Sequence, residues 1–121
     1  MGIDISRYQK SINYNSLKTE GVQFAIVKAG GNDAGMYKDS SFETHYSKLK
    51  ALGIPMGAYY FGNATSTTVA TKEADHFASL LKGKQFEYPV YYDFESKAMK
   101  GLSRDSLTKV VKAFCSRMDQ L

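Results

Sequence analysis

Four times along this chain a short apolar run suited to a β-strand gives way to a stretch with helical periodicity. That alternation limits the fold more than any other feature. The strand-like runs cover 2–6, 24–30, 54–61 and 88–95. The second, Phe24-Ala25-Ile26-Val27-Lys28-Ala29-Gly30, is almost continuously apolar, as in a strand covered on both faces. Strands separated by helices pair in parallel through right-handed crossovers. Two α/β architectures satisfy this order: an open doubly wound sheet, or four βα units of a (β/α)8 TIM-like barrel. In both, ligands meet the C-terminal ends of the strands.

The helical stretches have their own punctuation. Residues 14–19 form a short helix closed by Gly21. Phe42, Tyr46, Leu49 and Leu52 recur at helical spacing before Gly53, with Asp39-Ser40-Ser41 as candidate caps and Glu43 near the positive end. Residues 67–81 present Ala70, Ala74, Phe77, Ala78 and Leu81 on one face. Ser103 caps a last helix whose stripe is Leu107, Val110, Val111, Phe114, Met118 and Leu121. Arg7-Tyr8-Gln9 reads as the start of a loop. The segment 30–35 reads as a plain turn-rich connection, because it lacks both the lysine of a phosphate-binding loop and the dinucleotide glycine spacing.

The fourth strand run, Tyr88-Pro89-Val90-Tyr91-Tyr92-Asp93-Phe94-Glu95, ends in two carboxylates. Side chains alternate along a strand, so Asp93, Glu95 and Tyr91 share one face, while Val90, Tyr92 and Phe94 share the other and are apolar enough to lie under helices. Neighbouring acids raise each other's cost of ionising, so one tends to keep its proton. Such a pair can protonate a leaving group while the second acid steadies positive charge. Glycosidases hold two carboxyl groups about 5–5.5 Å apart when retaining and roughly 6.5–9.5 Å apart when inverting. Positions two apart on a strand lie about 6.6 Å apart, which is compatible with either. Asp4, Lys28, Tyr59 and Phe61 also fall near strand ends. Lys28, in an apolar run, must meet an acid, reach a ligand or leave the barrel mouth.

Bulk properties exclude several classes. A chain of 121 residues with 43% hydrophobic and 23% charged residues suggests one soluble domain, 1–121. No apolar run approaches the roughly 18 residues of a membrane span, so no membrane insertion is expected. The net charge of +4 favours anionic partners, but no dense Lys/Arg run marks a nucleic-acid stripe. Cys115 is the one cysteine; it sits mid-helix among apolar residues and reads as packing. His45 and His76 fall on helices and read as core or surface residues, and no Cys/His cluster suggests a metal. Met1-Gly2 runs straight into a strand rather than into a signal peptide, so action outside a cell implies another release route or a removed leader.

Gly-Ile-Asp-Ile-Ser at 2–6, Phe-Ala-Ile-Val-Lys-Ala at 24–29, Gly-Ala-Tyr-Tyr-Phe at 57–61 and Tyr-Tyr-Asp-Phe-Glu at 91–95 occur in order, each on a strand. Together they resemble the lysozymes of glycoside hydrolase family 25, cell-wall muramidases of bacteria, phages and some fungi. The resemblance implies hydrolysis of the β-1,4 bond between N-acetylmuramic acid and N-acetylglucosamine in peptidoglycan, with no metal and no organic cofactor. By the same resemblance Glu95 matches the general acid. Asp93 matches the acid that assists the oxocarbenium-like centre, and Asp4 matches an acid lining the same pocket. Lys28, Tyr59 and Phe61 match positions lining the sugar groove. Tyr60 stands where the family motif usually has histidine.

The resemblance covers only the front part of the family's domain, a truncated half-barrel with parallel strands. It implies a partial lysozyme-type catalytic domain acting at the cell wall or outside the cell. The first and fourth strands would expose edges, so either a longer parent supplies the rest or two copies form a homodimer through open sheet edges. Two rival readings accompany the muramidase. One is an inactive remnant that binds wall glycan or self-associates; the other is an open α/β domain for a small ligand.

Overall fold

The computed structural model describes residues 2–6, 13–33, 35–94 and 96–121, with the side chain of Lys18 left aside. The loop expected at Arg7–Gln9 and the acid Glu95 lie outside the described residues. The elements are β1 (Gly2–Ile5), α1 (Tyr14–Thr19), β2 (Phe24–Gly31), β3 (Tyr37–Lys38), α2 (Phe42–Ala51), β4 (Met56–Phe61), α3 (Thr67–Leu81), β5 (Val90–Asp93), α4 (Lys97–Lys100) and α5 (Arg104–Gln120). The strands follow the order β1-β2-β4-β5, all parallel, with β3 added antiparallel to β2. This is the expected βα repeat.

Alternation along the strands assigns the two faces of the sheet. Ala25, Val27 and Ala29 of β2 and Met56, Ala58 and Tyr60 of β4 are fully buried against the helical layer. They meet Phe42 and Leu49 of α2, Ala70, Ala74 and Phe77 of α3, and Val110 and Phe114 of α5 in one core. Burying a side chain the size of Phe77 contributes about 1.5–3 kcal/mol. Around it, Tyr92 stacks on Phe114 with ring centroids 3.8 Å apart, and Tyr60 packs 5.5 Å from Phe77. The helices start where hydroxyls can accept: Ser66 Oγ takes the Val69 N–H, and Ser103 Oγ takes the Ser106 N–H. At α2 the cap differs. Ser41 makes no side-chain cap bond, and Asp39 Oδ1 accepts the Ser41 N–H instead.

Several local expectations need correction. The connection at 30–35 is not plain: β2 runs on to Gly31, and Gly30 and Gly31 pair with Lys38 and Tyr37. β1 pairs with β2 only as far as Val27, so β3 takes the side of β2 that β1 leaves. Gly30 permits it, since a Cβ there would sit 2.2 Å from the Tyr37 carbonyl oxygen. The acidic strand is shorter than expected, starting at Val90. Of the side chains expected under helices, Tyr92 stacks on Phe114 of α5, whereas Val90 and Phe94 are 38% and 45% exposed, because β5 is an end strand. Tyr91, on the other face, is 48% exposed. Cys115 is exposed on α5 rather than packed, since Val110 and Phe114 carry the buried stripe there.

Candidate functional site

The face of the sheet away from the helices carries the candidate residues. Lys28 of β2 is level with Tyr59 of β4, which is level with Tyr91 of β5. One row nearer the C-terminal ends, Gly31, Phe61 and Asp93 are aligned. The Asp93 carbonyl accepts the Gly62 N–H at 2.7 Å, tying the tip of β5 to the turn after β4. Lys28 is 7% exposed, and its Nζ lies 5.2 Å from the Tyr37 ring centre and 5.3 Å from that of Phe61. Two aromatic faces thus hold the ammonium by their negative quadrupoles. The ion pairs among the described residues are Lys38–Glu43, Lys50–Glu87, Lys84–Glu43 and Arg117–Asp75, and Lys28 is in none of them.

Lys28, Tyr59, Phe61 and Asp93 are therefore gathered on adjacent strands. Asp4 is exposed on β1, three strand steps from β5. Its row runs through Ile26 to Gly57, four residues short of the Phe61–Asp93 row along β4. In an eight-stranded parallel barrel, tilted strands stagger by about one residue per strand. Across three steps that stagger amounts to about three residues, against the four that separate the two rows. Tyr37 is a contact the sequence did not announce, because a two-residue strand leaves no periodicity to read.

A second missed group lies behind the face. Glu73 of α3 is fully buried, and its carboxylate accepts three hydrogen bonds. The donors are Asn32 Nδ2 at 2.9 Å, the Asn63 N–H at 2.9 Å and the Tyr92 hydroxyl at 2.5 Å. Burial first, then the hydrogen bond to Glu73, pushes the Tyr92 hydroxyl far above the usual phenol range. The Tyr60 hydroxyl, also raised mainly by burial, lies 3.2 Å from the Gly31 carbonyl oxygen and 2.7 Å from His76 Nδ1. Burial holds His76 below the ordinary histidine value, with Glu73 partly opposing it. His45 is a core residue, as expected, between the Tyr14 hydroxyl and the Ser6 carbonyl. Spacing alone could have flagged Glu73, which sits three residues after Ala70 and four before Phe77 on the buried stripe.

No group of three or more His, Cys, Asp or Glu able to hold a metal occurs among the described residues. A cavity of about 610 Å³ lies between α3 and α5, lined by Asp75, Ala78, Arg117 and Met118 among others, on the far side of the sheet from Asp93.

Comparison with known proteins follows the same geometry. A family model described as glycosyl hydrolases family 25 matches residues 3–121. Lysozyme M1 of Streptomyces globisporus is 41% identical over 78 residues, 64% of this chain and 26% of that protein. The N,O-diacetylmuramidase of Chalaropsis sp is 33% identical over 126 residues, 96% of this chain and 58% of that protein. Among solved structures, the modular autolysin LytC from Streptococcus pneumoniae in complex with synthetic peptidoglycan ligand superposes with a TM-score of 0.84 at 26% identity. That match covers 98% of this chain and 29% of LytC. The chain thus spans between about a quarter and three-fifths of the length of the curated relatives it matches.

Proposed function

Given that this chain belongs to family 25 of the glycosyl hydrolases, we propose that it serves peptidoglycan hydrolysis, cleaving the β-1,4 bond between N-acetylmuramic acid and N-acetylglucosamine. The observation that carries this reading is Asp93, at the C-terminal end of β5 on the open face, in the row of Phe61 and beside the row of Lys28 and Tyr59. Glu95 is the general acid that protonates the glycosidic oxygen. Asp93 steadies the oxocarbenium-like centre as the bond breaks, and Asp4 lines the mouth from β1. Tyr59 and Phe61 offer ring faces to the sugars, and Lys28 offers a cation held by Phe61 and Tyr37. The names of the relatives, lysozyme and N,O-diacetylmuramidase, support the reaction class.

The test is clearing of purified cell walls, followed by turbidity. Glu95→Gln should lower the rate by about 10²–10⁴-fold, the usual contribution of a general acid. Clearing that persists at the wild-type rate in this variant overturns the assignment.

One observation favours a second reading, glycan binding without cleavage. Tyr91 stands 48% exposed next to Asp93, an aromatic platform open to a sugar. Retained binding to insoluble walls with no clearing at any enzyme concentration selects it. Tyr88, Val90, Tyr91 and Phe94 crowd exposed apolar surface along β5, which also suits pairing of two copies at the sheet's end strands. A mass in solution of twice the chain supports the pairing, and a stable monomer at high concentration removes it.

A further inference from the structure

We propose that Glu73 is a positioning residue, a buried three-way clamp that sets the strand tips carrying the site. A charge buried away from water is tolerated only when it is paired or fully hydrogen-bonded. Glu73 meets that condition with donors from three different tips. Asn32 follows β2, Asn63 follows β4 by two residues, and Tyr92 lies in β5 immediately before Asp93. α3 supplies the carboxylate from behind the sheet, at the end that carries Asp93.

The contact with Tyr92 sets direction. Its ring is stacked on Phe114 at 3.8 Å and its hydroxyl is held by Glu73, so residue 92 is committed to the helical side. Alternation then turns Asp93 to the open face. The contacts with Asn32 and Asn63 hold the turns after β2 and β4 in one plane. In addition, the turn after β2 is joined to β4 by Asn32 N–H to Phe61 O at 3.0 Å, and the turn after β4 to β5 by Gly62 N–H to Asp93 O at 2.7 Å. A carboxylate suits the role because two oxygens can accept all three donors. An amide has one accepting oxygen and must turn N–H groups toward one of the three. A leucine would fill much of the space and leave the Asn63 N–H and the Asn32 amide without acceptors.

This inference rests on the lysozyme reading only for its kinetic readout, so its test has two arms. The first is amide hydrogen exchange in the full chain. Asn32, Gly62 and Asn63 report the tips; Ala25, bonded to Pro55 O, and Tyr88, bonded to Met56 O, report the opposite end of the sheet. Glu73→Leu should speed exchange at the three tip amides at least tenfold relative to the two controls. Glu73→Gln should give a smaller change in the same place. Tyr92→Phe keeps the stack on Phe114 and deletes only the hydroxyl, so it remains informative where Glu73→Leu does not fold. It should loosen Gly62 and Asn63 selectively. The second arm is wall clearing, where Tyr92→Phe should lower kcat several-fold with KM within about twofold. Tip amides as protected as the controls, or a uniform acceleration of every amide, overturns the clamp. A wild-type chain that clears no walls counts against the lysozyme reading alone, and exchange still decides the clamp.

Discussion

Phe114 is the side chain through which α5 grips the sheet, and truncating it should cost more than any other single change on that helix. It is 3% exposed, and its ring meets Tyr92 at 3.8 Å, Phe77 at 6.2 Å and Tyr60 at 6.5 Å. Phe114→Ala removes the ring from a core that cannot collapse onto the gap, because three of the facing groups are themselves rings fixed by other contacts. The lost transfer energy and the cavity together amount to about 3–5 kcal/mol. Unfolding entropy near the midpoint is about 2.1 cal/mol/K per residue, so 121 residues give about 0.25 kcal/mol/K and about 4 °C per kcal/mol. The expected fall in Tm is therefore about 12–20 °C by circular dichroism, a large share of the stability of a typical domain. Phe94→Ala is the internal control. Its side chain is 45% exposed, and its removal should shift stability by less than about 0.5 kcal/mol. A drop of under about 4 °C for Phe114→Ala, or an equal drop for both variants, refutes the packing on which this rests.

Gly57→Ala should destabilise the β4–β5 seam by about 1–3 kcal/mol in urea unfolding, because an added Cβ would lie 2.4 Å from the Pro89 carbonyl oxygen, a backbone atom that cannot swing away. Ser103→Ala removes the acceptor for the Ser106 N–H and should cost about 1 kcal/mol, read as a lower urea midpoint with an unchanged slope. His76 gives a pH signature. Its folded value lies below the ordinary one, chiefly through burial, so as pH falls the unfolded chain takes the proton first. Its stabilising contribution is complete above about pH 6.5 and is lost as pH drops through the folded value. Tm measured from pH 8 to pH 5 should fall less steeply in His76→Gln than in the wild type, and parallel curves would remove His76 as the cause.

The regular parts of this fold were legible because their signals are local. Helix α3 occupies 67–81, as its apolar spacing required, and α5 starts after its Ser103 cap. The parallel order of the sheet followed from alternation of strand and helix. What stayed hidden depends on partners distant in sequence. Tyr37 reaches Lys28 only because β3 folds back on β2 at two glycines. Glu73 is polar on an apolar stripe, and its purpose becomes visible only when Asn32, Asn63 and Tyr92 converge on it. Val90, Phe94 and Cys115 were misjudged for one reason: an apolar neighbourhood in sequence does not say whether another element covers that position. Among the acids, Asp93 shares a row with Phe61, one row beyond Lys28 and Tyr59, Asp4 lies on the opposite end strand, and Glu95 lies outside the described residues.

The order β1-β2-β4-β5 gives the sheet two ends that are different surfaces: β1 exposes Gly2 and Asp4, and β5 exposes Val90 and Tyr91. If copies meet with one end against the other, each contact joins unlike partners, so that assembly is directional rather than self-complementary. Such a chain of contacts closes into a ring when the turn per copy divides the full circle without a rise, half a circle giving a closed pair; any other turn leaves a growing end. The curvature of the sheet then sets the turn per copy, and a change that flattens it should raise light scattering before it lowers the melting temperature.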